Sequence, residues 1–330
     1  MSNIKSKTSY LLVTIFIFGI LILQACSSVS TNSKGINAVD NTAPVKVIYE
    51  TDFTFDVDDV GALAVLHALA NNGEAEILAV SYNEAQNKAA DAIDAINTWY
   101  GRGDIPIGIY DKPLAAPDSS HSFYINTLAG MAHDITDNTV DTSLHVYQKV
   151  LAKQPDQSVT IISVGFLNNL YDLLKDNPEL VSKKVKMLIL MGGVYYDDFN
   201  FVRHDLVEQT QYVIKNWPGP IVISQAGLYV KTGSALESTP ADNPVRQAYY
   251  KWFDNSFQDR SSWDQLAVLY GVRGTNIYFD EISDGSGRLS NGYMWKMEPG
   301  RRMYLNLKLS TTETAKIIEA LMIQPPSSAP

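Results

Sequence analysis

Residues 50–59 read ETDFTFDVDD and combine one glutamate with four aspartates. Carboxylates held this close repel one another unless a cation or the hydroxyl groups of a sugar lie between them. An aspartate at a helix start is also ordinary capping and dipole chemistry, but that explanation covers one or two acids, not four. We therefore predict a functional site in this segment.

The sequence on either side indicates how these acids are positioned. Residues 45–49 form a short, apolar, β-branched run that is typical of a strand, and from Val60 onward the apolar residues follow helical spacing. The acids thus lie on the turn that joins a strand to a helix. Ligand sites of open α/β proteins gather outside the carboxyl ends of the strands, which is where this turn is expected.

Strand-like and helix-like segments alternate along most of the chain. The strand-like runs are apolar on both faces, as buried parallel strands are. Further strands are predicted at residues 76–81, 105–110, 159–164, 185–191 and 221–224, and helices at residues 88–99, 143–153, 167–174, 206–216 and 312–322. This pattern predicts one large, layered α/β domain. The polar stretch at residues 111–142 is predicted to be a mobile loop at the active site.

Both ends of the chain are predicted to lie outside that domain. Residues 1–25 combine two lysines, an apolar run and a small residue before Cys26, which resembles a bacterial lipoprotein signal with lipid attached at Cys26. An uncleaved anchor or an ordinary secreted protein is the alternative. We predict a flexible tether at residues 26–43, the α/β domain at residues 44–324 and a tail at residues 325–330. The expected location is exported and membrane-anchored through the lipid, on the periplasmic or cell-surface side.

The composition argues against some classes of function. The chain has a formal charge of −10 and no cluster of Lys and Arg. Nucleic-acid binding depends on neutralising phosphates, so we do not expect a nucleic acid as partner. The single cysteine cannot form a disulfide within the chain. Stability outside the cytoplasm must then come from the core, to which a bound metal could add.

Three later segments also carry groups suited to chemistry. In each, a strand-like run ends or a helix-like run begins beside Gly, Asn or Asp. The segments are Ser163-Val-Gly-Phe-Leu-Asn-Asn169, Met191-Gly-Gly193 followed by Asp198-Phe-Asn200, and Ser262-Trp-Asp-Gln265. Together with the acid-rich turn, and in this order, they resemble the calcium-dependent nucleoside hydrolases of the inosine/uridine-preferring family, which cut the N-glycosidic bond of ribonucleosides. The resemblance covers nearly all of the chain after the predicted tether.

The resemblance implies a single open, mostly parallel β-sheet flanked by helices, Ca²⁺ as cofactor and a nucleoside or other ribosyl substrate. The implied calcium ligands are Asp52, Asp59, Asp264 and the main-chain carbonyl of Val164, an all-oxygen set of the kind that Ca²⁺ prefers. Asp52 would act as general base on a water molecule at the ion. The implied ribose contacts are Asp58, Asn83, Asp198, Asn200 and Asp264, with Asp56 as an alternative to Asp58. The sequence leaves a homo-oligomer open.

The sequence departs from the family pattern mainly on the substrate side. Glu50 and Thr54 stand where the family usually has Asp and Gly, and a branched residue is disfavoured if the turn needs a positive φ. The loop before Asp58 is two residues longer than in well-known members. Asp198 replaces the family's Glu. Trp263 stands where some members have the His that protonates the leaving purine, so leaving-group activation is unassigned.

Two hypotheses therefore stand after the sequence alone. The first is an enzyme that hydrolyses the N-glycosidic bond of ribonucleosides to ribose and free base. The second is a catalytically impaired or divergent surface lipoprotein that binds nucleosides or sugars without cutting them. Binding of calcium and ribose without turnover would distinguish the second from the first.

Overall fold

Short apolar strands alternate with helices along the chain, as the sequence pattern predicts. The structure is a computed structural model, and it describes residues 43–54, 56–85, 88–115, 123–135, 139–193 and 198–327. The strands are β1 (Val45–Thr51), β2 (Ala75–Tyr82), β3 (Ile107–Ile109), β4 (Asp141–Thr142), β5 (Val159–Ser163), β6 (Val185–Met191), β7 (Ile221–Ser224), β8 (Lys231–Thr232), β9 (Arg260–Ser261), β10 (Phe279–Ile282), β11 (Ser286–Arg288), β12 (Met294–Lys296) and β13 (Arg302–Leu307). The α-helices are α1 (Asp58–Asn71), α2 (Ala89–Trp99), α3 (Phe123–Leu128), α4 (Ser143–Ala152), α5 (Asn168–Asp176), α6 (Pro178–Lys184), α7 (Phe199–Val202), α8 (Val207–Asn216), α9 (Pro244–Trp252), α10 (Trp263–Arg273) and α11 (Thr311–Met322).

One large open sheet organises the described residues. Its nine strands follow the order β10-β13-β7-β6-β5-β1-β2-β3-β4. Neighbouring strands are parallel except at one edge, where β10 runs antiparallel to β13. Two small antiparallel pairs, β8 with β9 and β11 with β12, lie outside this sheet. The prediction of a single open, mostly parallel sheet flanked by helices is confirmed.

The central strand β1 is the point where the strand order reverses. From β1 the chain adds β2, β3 and β4 on one side and then crosses back to add β5 and β6 on the other. β1 and β5 end level with each other, because Glu50 lies opposite Ser163. The loops that follow the two strands therefore emerge side by side. A reversal of this kind opens a crevice at the carboxyl ends of the strands, which is where open α/β proteins bind ligands.

The sheet separates two hydrophobic clusters. Successive side chains of a strand point to opposite faces, and β1 follows this rule. Val47 and Tyr49 belong to one cluster, whereas Ile48 belongs to the other. All three side chains are fully buried. Burial on both faces explains why these strands appear in the sequence as continuous apolar runs.

Helix α1 is buried on all its sides. Every residue from Asp58 to Leu69 is buried, because α1 packs against α10 and α11 as well as against β2. At Gly61 the close approach of α10 leaves no room for a side chain. A Cβ there would lie 2.5 Å from the hydroxyl of Tyr249 and closer still to the amide of Gln265. The first turn of α1, which carries two of the acids, is thus held in a rigid setting.

Some elements differ from the sequence-based expectation. The stretch at residues 111–142 contains α3 and β4, and α3 packs against α2 and α9. Residues 116–122 and 136–138 of this stretch lie outside the described residues, and its mobility stays a prediction. Helices α6, α7, α9 and α10 and the sheet strands β10 and β13 were not anticipated. A short apolar run such as residues 266–270 of α10 fits a buried strand as well as a helix by periodicity alone.

No helix in the described ranges combines the length and the apolar character needed to cross a membrane. The predicted signal, most of the predicted tether and Cys26 precede Ala43, the first described residue.

Candidate functional site

Four aspartates meet at the carboxyl end of the sheet. Asp52 follows β1 directly, Asp58 and Asp59 begin α1, and Asp264 is the second residue of α10. Each of them is at most 5% exposed. Carboxylate oxygens of Asp58, Asp59 and Asp264 all lie within 4.8 Å of one another, and Asp52 lines the same pocket. The structure thus adds Asp58 to the metal-ligand candidates that the sequence suggested.

The electrostatics of this acid cluster favour a bound cation. Burial raises the pKa of all four carboxyl groups well above the ordinary value, and in each case a neighbouring carboxylate raises it further. A cation among the oxygens would favour the charged forms and offset both effects. Oδ1 of Asp264 is buried and accepts no hydrogen bond from the described residues, so it is available to a ligand. This donor set fits a hard cation that prefers oxygen, such as Ca²⁺.

Neighbouring groups hold the acids in place. The hydroxyl of Thr51 donates to Oδ1 of Asp59. The hydroxyl of Tyr49 donates to the main-chain oxygen of Asp59 at 3.0 Å. The main-chain N–H of Asp264 faces Oδ2 of Asp58 at 3.4 Å. Since Thr51 and Tyr49 belong to β1, the central strand fixes the first turn of α1 directly.

The end of β5 supplies the opposite side of the crevice. The main-chain oxygen of Val164 accepts a hydrogen bond from the amide of Asn200 at 2.5 Å, which joins β5 to α7. A carbonyl oxygen has two lone pairs, so this contact leaves room for a second partner. At Gly165 a Cβ would lie 2.5 Å from both the N atom of Asp52 and Oδ1 of Asn83. Only glycine allows the β1 and β5 loops to approach this closely.

The acids, the end of β6 and the start of α7 enclose one pocket. Its volume of about 220 Å³ is far larger than the 10–15 Å³ that a single water requires, so it can hold a small organic ligand. The described residues that line it are Asp52, Asp56, Asp58, Asp59, Met191, Gly192, Phe199, Asn200, Arg260, Trp263 and Asp264. The sequence-based candidates that come together here are Asp52, Asp56, Asp58, Asp59, Asn200 and Asp264, whereas Val164 is not among the lining residues.

Asp56 faces the pocket but is engaged by a basic side chain. Its carboxylate accepts from Nε of Arg260 at 2.9 Å and from Nη2 at 2.5 Å. The guanidinium of Arg260 also lies over the ring of Trp263, 5.1 Å from the ring centroid. Asp56 therefore binds a fixed cation on the pocket wall. Arg260 could not be recognised from the sequence, because 204 positions separate it from Asp56.

Two other expected ribose contacts do not line the pocket. Asn83 is fully buried, and its amide donates to the main-chain oxygen of Phe166 at 2.9 Å. Asp198 accepts a hydrogen bond at 2.5 Å from the main-chain N–H of Ser290. Asn83 thus connects the loops that follow β2 and β5, and Asp198 connects the start of α7 to the turn between β11 and β12.

The substitutions at Glu50 and Thr54 are accommodated without strain in the turn. Thr54 is not among the described residues with a positive φ, and its hydroxyl donates to the main-chain oxygen of Asp52 at 2.9 Å. Glu50 ends β1 and is completely buried. Burial raises its pKa to about 8, the nearby polar groups of Asn169 and Asn83 limit the rise, and neither carboxyl oxygen has a hydrogen-bond partner among the described residues. Glu50 therefore lies buried beneath the pocket, at the end of β1, and is mostly neutral near pH 7.

A buried ion pair beside the site was not anticipated. Nε2 of His204 lies 2.7 Å from Oε2 of Glu84, and Nδ1 lies 2.6 Å from the main-chain oxygen of Ala115. The main-chain oxygen can only accept, so Nδ1 carries hydrogen, and a second proton shared between Nε2 and the carboxylate would make the imidazole a cation. Burial lowers the pKa of His204, but the hydrogen bonds to Glu84 and Ala115 outweigh it and the pKa is raised. Glu84 in turn is the neighbouring charge that most raises the pKa of Asp52.

Fold and site together define an open-sheet α/β protein whose pocket suits a hard cation and a ligand rich in hydroxyl groups. The sequence matches the family of inosine-uridine preferring nucleoside hydrolases over residues 47–211, and the chain belongs to this family. The matched segment contains the acid-rich turn and the β5 and β6 strand ends. Arg260 and Asp264 lie beyond it. No curated protein is significantly similar to the chain in sequence.

Solved structures of this fold include enzymes and effector proteins. The inosine-uridine preferring nucleoside hydrolase from Bacillus anthracis has a TM-score of 0.65 at 16% identity, with 84% of this chain and 99% of that chain covered. For the plant nucleoside hydrolase PpNRh1 the TM-score is 0.60 at 15% identity, with 86% and 100% covered. The type III effector XopQ, solved with adenosine diphosphate ribose, has a TM-score of 0.63 at 14% identity, with 85% and 93% covered. At such identities the likeness shows the fold.

Proposed function

We propose that the protein hydrolyses the N-glycosidic bond of ribonucleosides to ribose and free base, with Ca²⁺ as cofactor. The observation that carries this proposal is the buried group formed by Asp58, Asp59 and Asp264, with Asp52 in the same pocket. This carboxylate cluster lies where the strand order of the sheet reverses. In a member of this family, a cluster that can bind a cation at that place is suited to bind ribose. Membership supports ribonucleoside hydrolysis as the general reaction.

The ion would be held by carboxylates of Asp52, Asp58, Asp59 and Asp264 and by the main-chain oxygen of Val164. When bound, it would supply positive charge that orients a water molecule and lowers its pKa. Asp52 would accept the proton of that water, because its carboxylate lines the pocket next to the other ligands. These are the roles that the donor set supports.

The remaining polar groups would bind the sugar. Asp58, Asn200 and Asp264 line the pocket and can accept from or donate to ribose hydroxyl groups. Positive charge builds up at C1′ as the glycosidic bond breaks, and the neighbouring carboxylates stabilise it. Asn83 and Asp198 would act on the sugar through the loops that they connect. Asp56 would act through Arg260.

The test is ribose release from a panel of purine and pyrimidine nucleosides, measured as reducing sugar. We expect activity with calcium, loss on chelation and recovery on adding calcium back. Asp52→Asn keeps the shape of the side chain but removes the base, so we expect a loss of about 10²–10⁴-fold in kcat. Asp156→Asn is the matched control, because Asp156 is an exposed acid paired with Lys184 away from the pocket. If the wild-type protein with calcium releases no ribose from any nucleoside, the proposal is wrong.

The second candidate function is binding of nucleosides or other ribosyl compounds without hydrolysis. Effector proteins among the structures of this fold favour it, one of them in complex with adenosine diphosphate ribose. Isothermal titration separates the two candidates. Calcium-dependent binding of a nucleoside or of adenosine diphosphate ribose, in a protein that releases no ribose, would support the binding function.

We also propose that the protein is an exported lipoprotein anchored through Cys26. The basic residues, the apolar run and the small residue that precede the cysteine support this proposal. Metabolic labelling with a fatty acid should give a labelled membrane protein for the wild type and none for Cys26→Ser. Equal labelling of the two proteins, or no labelling of the wild type, would contradict it.

A further inference from the structure

Cleavage of an N-glycosidic bond develops charge of opposite sign at its two ends. The electron pair of the C1′–N bond moves to the base, so negative charge grows on the leaving group while C1′ becomes positive. The acid cluster stabilises the C1′ end, but its carboxylates repel a departing anion. A pocket with this much negative charge therefore needs a hydrogen-bond donor or a cation on the side of the base.

Arg260 is the only cationic residue among the described residues that line the pocket. The others are carboxylates, an amide, a glycine and apolar or aromatic side chains. The Arg260 side chain is 37% exposed, so a ligand in the pocket can reach it. Its pKa is raised, mainly by the hydrogen bonds to Asp56, and it stays a cation throughout. Arg260 can therefore donate hydrogen bonds without giving up a proton.

The guanidinium is held in one orientation with donors to spare. Strand β9 places Arg260 opposite Thr232 of β8, Asp56 engages Nε and Nη2, and the ring of Trp263 lies under the guanidinium. A guanidinium has five N–H donors. Among the described residues no acceptor engages Nη1. Its two N–H groups can thus bind an acceptor inside the pocket.

We propose that Arg260 activates the leaving group by hydrogen bonding to the departing base, and that the base lies on the wall formed by Arg260 and Trp263. This proposal rests on the proposed function. The C1′–N bond breaks with its electron pair moving to the base nitrogen, where Arg260 stabilises the negative charge. A water oxygen forms the new bond to C1′ and gives its proton to Asp52. Asp52 releases that proton to solvent, and the base anion takes one from solvent, so that ribose and neutral base leave.

The experiment compares substrates that differ in how well their leaving groups tolerate negative charge. Uridine and 5-fluorouridine have nearly the same shape, but 5-fluorouracil is the more acidic base, and p-nitrophenyl β-D-ribofuranoside needs no activation at all. We expect Arg260→Ala to lose about 10²-fold in kcat/KM on uridine, less on 5-fluorouridine and only a few-fold on the nitrophenyl riboside. Arg260→Lys keeps the positive charge but lacks the planar set of N–H donors of the guanidinium. Its loss on uridine should therefore be smaller than that of Arg260→Ala.

Two control variants make the result decisive. Arg273, the last residue of α10, forms a comparable pair with Glu74, at 2.7 Å and 2.8 Å, outside the pocket. Arg273→Ala should affect all three substrates equally or not at all. Asp56→Asn leaves Arg260 present but unanchored, and we expect a smaller loss that still depends on the leaving group. An equal loss on all substrates for Arg260→Ala, or no loss, overturns the proposal for Arg260. An inactive wild-type protein overturns the proposed function instead.

Discussion

His67 lies in the middle of α1 and is completely buried. Its Nε2 donates to Oδ1 of Asn97 at 2.9 Å, and its ring stacks on Tyr100 with the centroids 4.4 Å apart. Burial lowers the pKa of His67 to about 3, with a contribution from the charge of Arg102 and against the hydrogen bond to Asn97. The histidine is therefore a neutral packing residue, as its place in an apolar helix suggests.

This neutral histidine should make folding sensitive to acid. In the unfolded chain its pKa is about 6.5, so below that pH the unfolded state binds a proton that the folded state does not. The free energy of unfolding keeps its full value above pH 6.5. It should fall as the pH drops from there toward 3, with a slope approaching 1.4 kcal/mol per pH unit from this residue. His67→Gln retains a donor for Asn97 and cannot titrate, so its unfolding free energy should fall less steeply.

Urea unfolding followed by tryptophan fluorescence at several pH values between 7.5 and 4 measures these slopes. His145→Gln is the matched control, because the side chain of His145 is 60% exposed and its partner Asp141 is 43% exposed and only four positions away. It should leave the slope almost unchanged. Parallel curves for the wild type and His67→Gln would contradict the prediction.

At the scale of elements, the contact between α1 and α10 determines the geometry of the acid cluster. Asp58 and Asp59 belong to α1 and Asp264 to α10, so the distance between the two helices sets the distance between their carboxylates. Gly61 allows that distance, since a Cβ would collide with Tyr249 and Gln265. The helix spacing and the cation site are thus parts of one packing arrangement.

Gly61→Ala tests this coupling. Alanine favours an isolated helix over glycine by about 1 kcal/mol, but here the extra methyl must displace the Tyr249 hydroxyl and the Gln265 amide, which hydrogen-bond to each other at 3.0 Å. Overpacking of this kind costs about 1–3 kcal/mol. We expect a lower Tm and at least tenfold weaker calcium binding, by calorimetry. Gly130→Ala is the control, since its Cβ would lie 3.4 Å from the nearest atom, in ordinary contact. A stabilised Gly61→Ala protein with unchanged calcium affinity would show that the helices have room to spare.

The central strands of the sheet could be predicted from the sequence more completely than helix α10, which carries Trp263 and Asp264 of the pocket. β1, β2, β5, β6 and β7 are continuous apolar runs buried on both faces, a local signal that tertiary contacts reinforce. α10 is buried along most of its length and has no clear apolar stripe. Such a helix cannot be recognised by periodicity, because no face of it meets water.

At the scale of the whole molecule, the grouping of the acids could be predicted because these residues follow strand ends and helix starts in a fixed order. The charge pairs that surround it could not. Asp56 meets Arg260 across 204 positions, and Glu84 meets His204 across 120. These distances along the chain are closed only by the complete fold, and neither partner has a distinctive neighbour in sequence. The Asp56–Arg260 pair sets the charge on the pocket wall, and the Glu84–His204 pair sets the charge beside Asp52. Both pairs therefore affect the groups that a substrate would meet.

The burial of α1 on all sides also bears on when the site can form during synthesis. α1 is made early, but its outer surface is covered by α10 and α11, and α11 ends only at Met322. A chain that emerges in order, from the ribosome or across a membrane, therefore cannot complete this packing until Met322 has emerged. Some two hundred residues separate Asp58 and Asp59 from Asp264. The acid cluster can therefore form only after α10 and α11 have both emerged, and a chain cut before them keeps its acids apart.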